Sequence, residues 1–234
     1  MIVGWPTRAH LNKDKIILFP TGSTEQHGKH LVLDTDTFIL FEIAKRVAKE
    51  TNVLVAPPMP FGQSVHHMAF PGTITLSFDT LVNVYIDVCK SLLNHGFDKI
   101  VFMNGHGGNT DPISEAIRRV REDTGKIIYA LSVGASQKGF GSESLKFIKQ
   151  ETGGHACERD TSVVLYLGER VLINKAEKWK FPNSWTEFYK KYFEPKTKLW
   201  ISPITRVQYF NEITEIGSLG DPIIASKEKG KQMG

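Results

Sequence analysis

The stretch that decides the fold is TGSTEQHGKHLVLDTDT, residues 21–37. It follows an apolar run, Ile16-Ile17-Leu18-Phe19-Pro20, that reads as a buried strand. Continuous apolar strands of this kind belong to parallel sheets covered on both faces. In such sheets ligands bind in the crevice outside the carboxyl ends of the strands. The stretch therefore begins where a site is expected, and it carries Glu25, His27, His30, Asp34 and Asp36 within a dozen positions.

Glu25 and His27 are two residues apart, so in an extended segment their side chains share a face. A carboxylate beside a neutral imidazole suits Zn²⁺, Mn²⁺ or Fe²⁺. Asp36, returning on the next turn, is placed to bridge two ions. The same residues also read as a polar loop capping the helix that starts near Asp36, because Asp or Thr before an apolar-periodic run is a normal N-cap.

Working outward, residues 36–51 read as an amphipathic helix through Phe38, Ile39, Ile43, Val47 and Ala48. Residues 53–56 are a second strand, stopped by Pro57-Pro58. A long loop, PFGQSVHHMAFPGTITLS, closes in a β-like segment at 73–77, and a helix follows over 78–94. Residues 99–103 are a third strand, 110–124 a helix and 126–131 a fourth strand. Residues 161–167 are helical or buried and apolar, and Ser226 caps a last helix. This alternation predicts an α/β fold with a mostly parallel sheet covered by helices on both faces, in one domain over 1–234.

Composition narrows the function classes. The 234 residues suit a globular chain with a real core, at 41% hydrophobic and 23% charged. A net charge of +4 comes without any basic block, so nucleic acid is not the expected partner. Two cysteines, Cys89 and Cys157, offer no disulfide framework. No signal pattern or membrane-length apolar run is visible, and a cytoplasmic location is expected.

Two further clusters fall after predicted strands or beside predicted helices. NGHGGN, residues 104–109, ends the third strand; its glycines let His106 turn into the crevice while Asn104 and Asn109 hold the turn. Neither the P-loop nor the dinucleotide glycine spacing is present. GGHACERDTS, residues 153–162, supplies His155, Glu158 and Asp160. Its acids read either as the cap of the following segment or as a carboxylate completing a metal shell, with His155 moving protons. His66-His67 adds a further histidine pair on a loop.

The motifs TGSTEQHGKHLVLDTD, SVHHMAFPGTITL, NGHGGN, HACERDTS and LGDPIIASKEKG occur in an order that resembles the creatininase, or creatinine amidohydrolase, family over nearly the whole chain. The resemblance implies a three-layer α/β/α sandwich, a pair of divalent ions and a homo-oligomer, commonly a hexamer. It implies that Glu25 binds one ion, His27 the other, Asp36 bridges them and His106 completes the first. It further implies a catalytic role for His155, with Glu158 as a contributor and Asp160 at the second ion. Two departures stand out. Gly107 and Gly108 occupy places where creatininase itself has an aromatic and a metal-binding Glu, and Cys157 and Asp160 stand where the family commonly has Gly and Glu.

The expected activity is hydrolysis of a C–N bond, other than a peptide bond, in a small or cyclic amide. Metal ions would lower the pKa of a bound water, and His155 would protonate the leaving nitrogen. His30, His67 and Asp34 are expected to hold the ligands or the substrate. Alternatives on the same scaffold are a deformylase of a formylaminopyrimidine ribotide, a sugar-ring or lactone hydrolase, and a non-catalytic metal-binding homologue. Trp179, Trp185, Phe188, Tyr189 and Tyr192 are expected to fill core or interface, and Cys157 to be a small buried residue without nucleophilic function.

Overall fold

The computed structural model describes residues 11–133, 146–150, 154–168, 170–180 and 209–233. The contacts group the chain into two compact units. Residues 1–24, 36–65 and 74–134 form the first, and residues 25–35, 66–73 and 135–234 the second.

The first unit holds a four-stranded sheet of β1 (Ile17–Thr21), β2 (Leu54–Val55), β3 (Ile100–Asn104) and β4 (Tyr129–Ser132). The order is β2-β1-β3-β4 and every pairing is parallel. Successive side chains on a strand point to opposite faces, which splits the apolar residues into two cores. On one face Leu18, Val55 and Met103 meet Leu40 and Ala44 of α1 (Thr35–Thr51). On the other, Ile17, Phe19, Leu54, Ile100 and Phe102 meet α2 (Phe78–Asn94) through Leu81, Tyr85 and Cys89, and α3 (Thr110–Thr124) through Ile113, Ala116 and Val120. The result is the three-layer α/β/α arrangement. Phe19, Tyr85 and Phe102 form a mutual aromatic cluster with centroids 5.2–6.2 Å apart, in the tilted and edge-on geometries that aromatic quadrupoles favour.

The apolar run closes at Pro20, yet β1 continues through it to Thr21. The reason lies in the pairing. Leu18 and Pro20 address the β2 side, where the Pro20 carbonyl still accepts from Met59 N–H at 2.9 Å. Regular β2 has already ended at Val55, so the missing proline N–H breaks no ladder there. The β-like segment at 73–77 consists of isolated bridges, Ile74 with Thr24 and Thr75 with Gly62.

In the second unit α4 (Glu158–Leu167) packs against α5 (Lys227–Met233). The helix α4 begins three residues earlier than the apolar pattern suggests, because Asp160 caps it by accepting from Cys157 N–H at 3.3 Å. Trp179, Ile213 and Leu219 make a small core, with the indole N–H donating to Ile213 O at 3.3 Å. Trp185, Phe188, Tyr189 and Tyr192 lie outside the described residues. Among the described residues no helix is long and apolar enough to cross a membrane.

Candidate active site

Each unit carries a cluster of imidazoles and carboxylates. In the first, His106 sits on the turn after β3. Its N–H donates to Asn104 Oδ1 at 3.1 Å. Asn109 donates to Gly22 O at 2.9 Å and accepts from Gln63 N–H at 3.1 Å. The two asparagines thus hold the turn.

His106 Nε2 lies 3.1 Å from the Gln63 carbonyl oxygen and 3.3 Å from Ser64 Oγ. A carbonyl can only accept, so Nε2 carries the proton. The remaining nitrogen, Nδ1, faces Asp36 Oδ2 at 3.3 Å, and that oxygen also accepts from the Ser23 hydroxyl at 2.8 Å. A lone-pair nitrogen held against a carboxylate is favourable only when a cation, either a proton or a metal ion, is shared between them. An N–H tied to a backbone carbonyl is also how metal-bound imidazoles are usually oriented. Asp36 and His106 therefore fit a divalent cation.

In the second unit Glu25, His67 and His155 are all buried, and their ligand-type atoms lie within 4.8 Å of one another. Glu25 Oε1 is 3.3 Å from His67 Nε2 and 3.8 Å from His155 Nδ1. His27 packs its ring on His155 with centroids 4.2 Å apart. Its Nδ1 lies 3.2 Å from the Glu25 carbonyl oxygen, which leaves Nε2 as the unprotonated, ligand-competent nitrogen.

His155 is set by a short antiparallel bridge to Leu219, with Leu219 N–H donating to His155 O at 2.8 Å. The next residue, Ala156, has φ of +48°, a left-handed conformation that costs an L-residue about 1–2 kcal/mol. Strain of this kind is held where surrounding structure over-determines the backbone.

Other expected residues lie differently. His30 pairs with Thr161 through Nε2 to Oγ1 at 2.9 Å. Burial first, and His27 second, push its pKa down to about 4, so it is neutral at pH 7. His67, expected as a ligand-holding or substrate contact, faces Glu25. Asp34 is exposed on the turn before α1.

Glu158 was expected to contribute to catalysis. Its fully buried carboxylate instead accepts from Lys149 N–H at 2.8 Å and Gln150 N–H at 2.7 Å, and pairs with Lys229 of α5. Those three donors hold it in place as a buried, charge-paired carboxylate that ties α4 to α5. Asp160 is occupied by the α4 cap and by Arg159 at 3.2 Å. The Cys157 thiol is buried, and its pKa is pushed up to about 12, chiefly by burial. It is thus a protonated packing residue.

Two site residues escape sequence reasoning. Gln26 lies inside the first motif but carries no charge to mark it. Phe210 comes from a remote and otherwise unremarked segment, and it stacks on His67 at 3.9 Å between centroids and meets His155 edge-on at 4.7 Å.

The fold and these clusters define an α/β protein with buried and half-buried imidazole–carboxylate sets suited to divalent cations. The creatininase family profile, described as creatinine amidohydrolase, matches residues 4–234. The chain belongs to that family, and is a creatininase-family hydrolase. It is 31% identical to a mycofactocin precursor peptide peptidase of Mycobacterium ulcerans over 93% of this chain and 79% of that relative. It is also 34% identical to a creatinine amidohydrolase of Pseudomonas putida over 44% of this chain and 42% of that protein. A solved structure titled "E122Q mutant creatininase, Zn-Zn type" superposes with a TM-score of 0.76 at 24% identity, covering 94% of this chain and 85% of that one. This last likeness shows the fold.

Proposed function

We propose that this hydrolase is metal-dependent and cleaves the C–N bond of an amide. The observation that carries the reading is the approach of His106 Nδ1 to Asp36 Oδ2 at 3.3 Å, a pair that a shared cation satisfies, in a chain of the creatininase family. Asp36 and His106 would hold a cation in the first unit, and Glu25 and His27 are the further donors that the family resemblance implies, one for each ion; Zn²⁺, Mn²⁺ and Fe²⁺ suit such donors. Bound there, the ions supply a water acidified toward neutrality and a polarised carbonyl. His155, buried and braced by the bridge to Leu219, donates the proton that the departing nitrogen needs. Asp160 is assigned to the helix cap.

A peptide amide is the first substrate class to test, supported by the near full-length likeness to mycofactocin precursor peptide peptidases. A small or cyclic amide is the second, supported by the match to the Pseudomonas creatinine amidohydrolase. The test is elemental analysis of the purified protein followed by turnover of short peptides, cyclic amides, formamides and lactones side by side. Bound divalent metal with amide turnover is the expected result. A protein that takes up no metal from metal-replete medium and cleaves none of the amides would refute the reading. Homo-oligomerisation belongs to the same proposal, supported by exposed Ile127 and Tyr129 on and beside the edge strand β4. Light scattering that finds only monomer would remove it.

A further inference from the structure

We infer that Gln26 is a positioning residue that dictates which nitrogen of His67 and of His155 carries the proton, and so gives the two imidazoles different tasks. The inference rests on the hydrolase reading for its catalytic meaning, though not for its geometry.

The starting point is the orientation of the Gln26 amide. Gly28 N–H lies 3.0 Å from Gln26 Oε1. A backbone N–H can only donate, so the atom facing it must be the amide oxygen. The amide nitrogen is thereby turned to His67 Nδ1 at 2.9 Å. An amide NH₂ can only donate, so His67 Nδ1 must accept. In the neutral ring the proton then sits on Nε2, the nitrogen 3.3 Å from Glu25 Oε1. The Nε2–H of His67 therefore faces the Glu25 carboxylate, and the ring has no lone pair left for a metal ion, although its position beside Glu25 and His155 would suit one.

The Gln26 main chain treats His155 in the complementary way. His155 Nε2 lies 2.7 Å from the Gln26 carbonyl oxygen, so Nε2 carries the proton there. The 3.2 Å approach of Gln26 Nε2 to the same nitrogen is then a contact between two donors, not a hydrogen bond. His155 Nδ1 is left as the basic nitrogen, 3.8 Å from Glu25 Oε1. One residue thus fixes His67 with its Nε2–H towards the Glu25 carboxylate, and fixes His155 with its unprotonated nitrogen towards the same carboxylate.

The surroundings hold the amide in this pose. Gln26 N–H donates to Thr73 Oγ1 at 3.2 Å, and the Thr73 hydroxyl donates in turn to the His67 carbonyl at 3.2 Å. Gly217 has φ of +77°, and a Cβ there would fall 2.1 Å from Gln26 Oε1, so the backbone is shaped around the oxygen. Gln26 itself is buried.

The test reads the proton positions directly. Long-range ¹H–¹⁵N spectra of the metal-stripped wild-type protein at about pH 8, where an ordinary imidazole is neutral, would be assigned with His67→Gln and His155→Gln. Both rings are expected to be protonated at Nε2 and bare at Nδ1. In Gln26→Glu an acceptor replaces the donor, and the His67 proton is expected to move to Nδ1. In Gln26→Met both His67 tautomers should appear. Once a turned-over amide is in hand, Gln26→Met should lower kcat about tenfold or more with KM little changed.

A wild-type His67 protonated at Nδ1, or at both nitrogens, overturns the inference. So does a Gln26→Glu protein whose His67 tautomer is that of wild type. If neither variant folds, a wild-type His67 protonated at Nδ1 still overturns the inference. Absence of amide turnover would count against the hydrolase reading and leave the tautomer result standing.

Discussion

Replacing Gly230 by Ala sets two known effects against each other, and the structure says which wins. In an open helix the change would stabilise, since Ala is favoured over Gly by about 1 kcal/mol. Gly230, however, lies where α5 crosses α4. A Cβ built there falls 1.9 Å from the Ser162 carbonyl oxygen, 2.5 Å from its carbon and 2.7 Å from Tyr166 Cβ. Ordinary contact begins at 3.4 Å, so α5 must withdraw by about 1.5 Å (3.4 − 1.9). The obstacle is helix backbone, which cannot rotate away. Withdrawal also pulls Lys229 from the buried Glu158 carboxylate and from Ile224 O, which it reaches at 2.7 Å.

Overpacking alone costs about 1–3 kcal/mol, and fully breaking a buried ion pair about 3–5 kcal/mol. Glu158 keeps its two backbone donors, so only part of the second term applies. A net loss of about 2–3 kcal/mol is expected after the helix gain is subtracted, or a fall of roughly 4–12 °C in Tm for a chain of this size. Urea and thermal melts followed by circular dichroism measure it. Gly107→Ala is the control: nothing lies within 4 Å of a Cβ at that glycine, and its stability should change by no more than about 0.5 kcal/mol. A Gly230→Ala protein as stable as wild type, or more so, would refute the account of the α4–α5 interface.

Stability should fall as the pH drops from 6.5 towards 4, partly through His30. Its ring is held neutral in the fold, with a pKa near 4, but takes a proton near 6.5 in the unfolded chain. The unfolded state therefore binds more protons in that window, and the contribution, worth up to about 3 kcal/mol, is lost as pH decreases. Urea melts across the window should show a shallower slope for His30→Gln; an unchanged slope would remove His30 from the explanation. His106→Ala should lose both bound metal and turnover, whereas His155→Ala should keep its metal and lose turnover, as elemental analysis beside amide hydrolysis would show. Turnover surviving in either variant would cancel that assignment. Ser77 accepts from Thr80 N–H at 3.4 Å at the start of α2, so Ser77→Ala should cost about 1 kcal/mol in a urea melt; a cost near zero would mean that this long bond contributes nothing.

Much of the first unit was legible in advance because its signals are local. An apolar run such as residues 16–20 declares a strand buried on both faces. The period of Leu81, Tyr85 and Cys89 declares the buried side of a helix, and α2 and α3 begin and end where that period does. The boundary errors have local causes too. Pro20 could stay in β1 because its neighbour had stopped, and α4 could start at Glu158 because Asp160 reaches back to cap it. The acids of the third motif illustrate the limit: their charge marks them as candidates, yet Glu158 answers to Lys229, 71 residues away.

The order of residues by itself determined that the first and third strands would each run into a segment carrying His, Glu or Asp, because side-chain chemistry and hydrophobic period are properties of the chain. Only the tertiary structure decided what each group does there. Glu25 meets an imidazole 42 residues further on and another 130 residues on, and Gln26 links the same two rings. A histidine offers two nitrogens of equal standing until a neighbour claims one. That neighbour is chosen by the packing, so the division of labour among the imidazoles appears only in three dimensions.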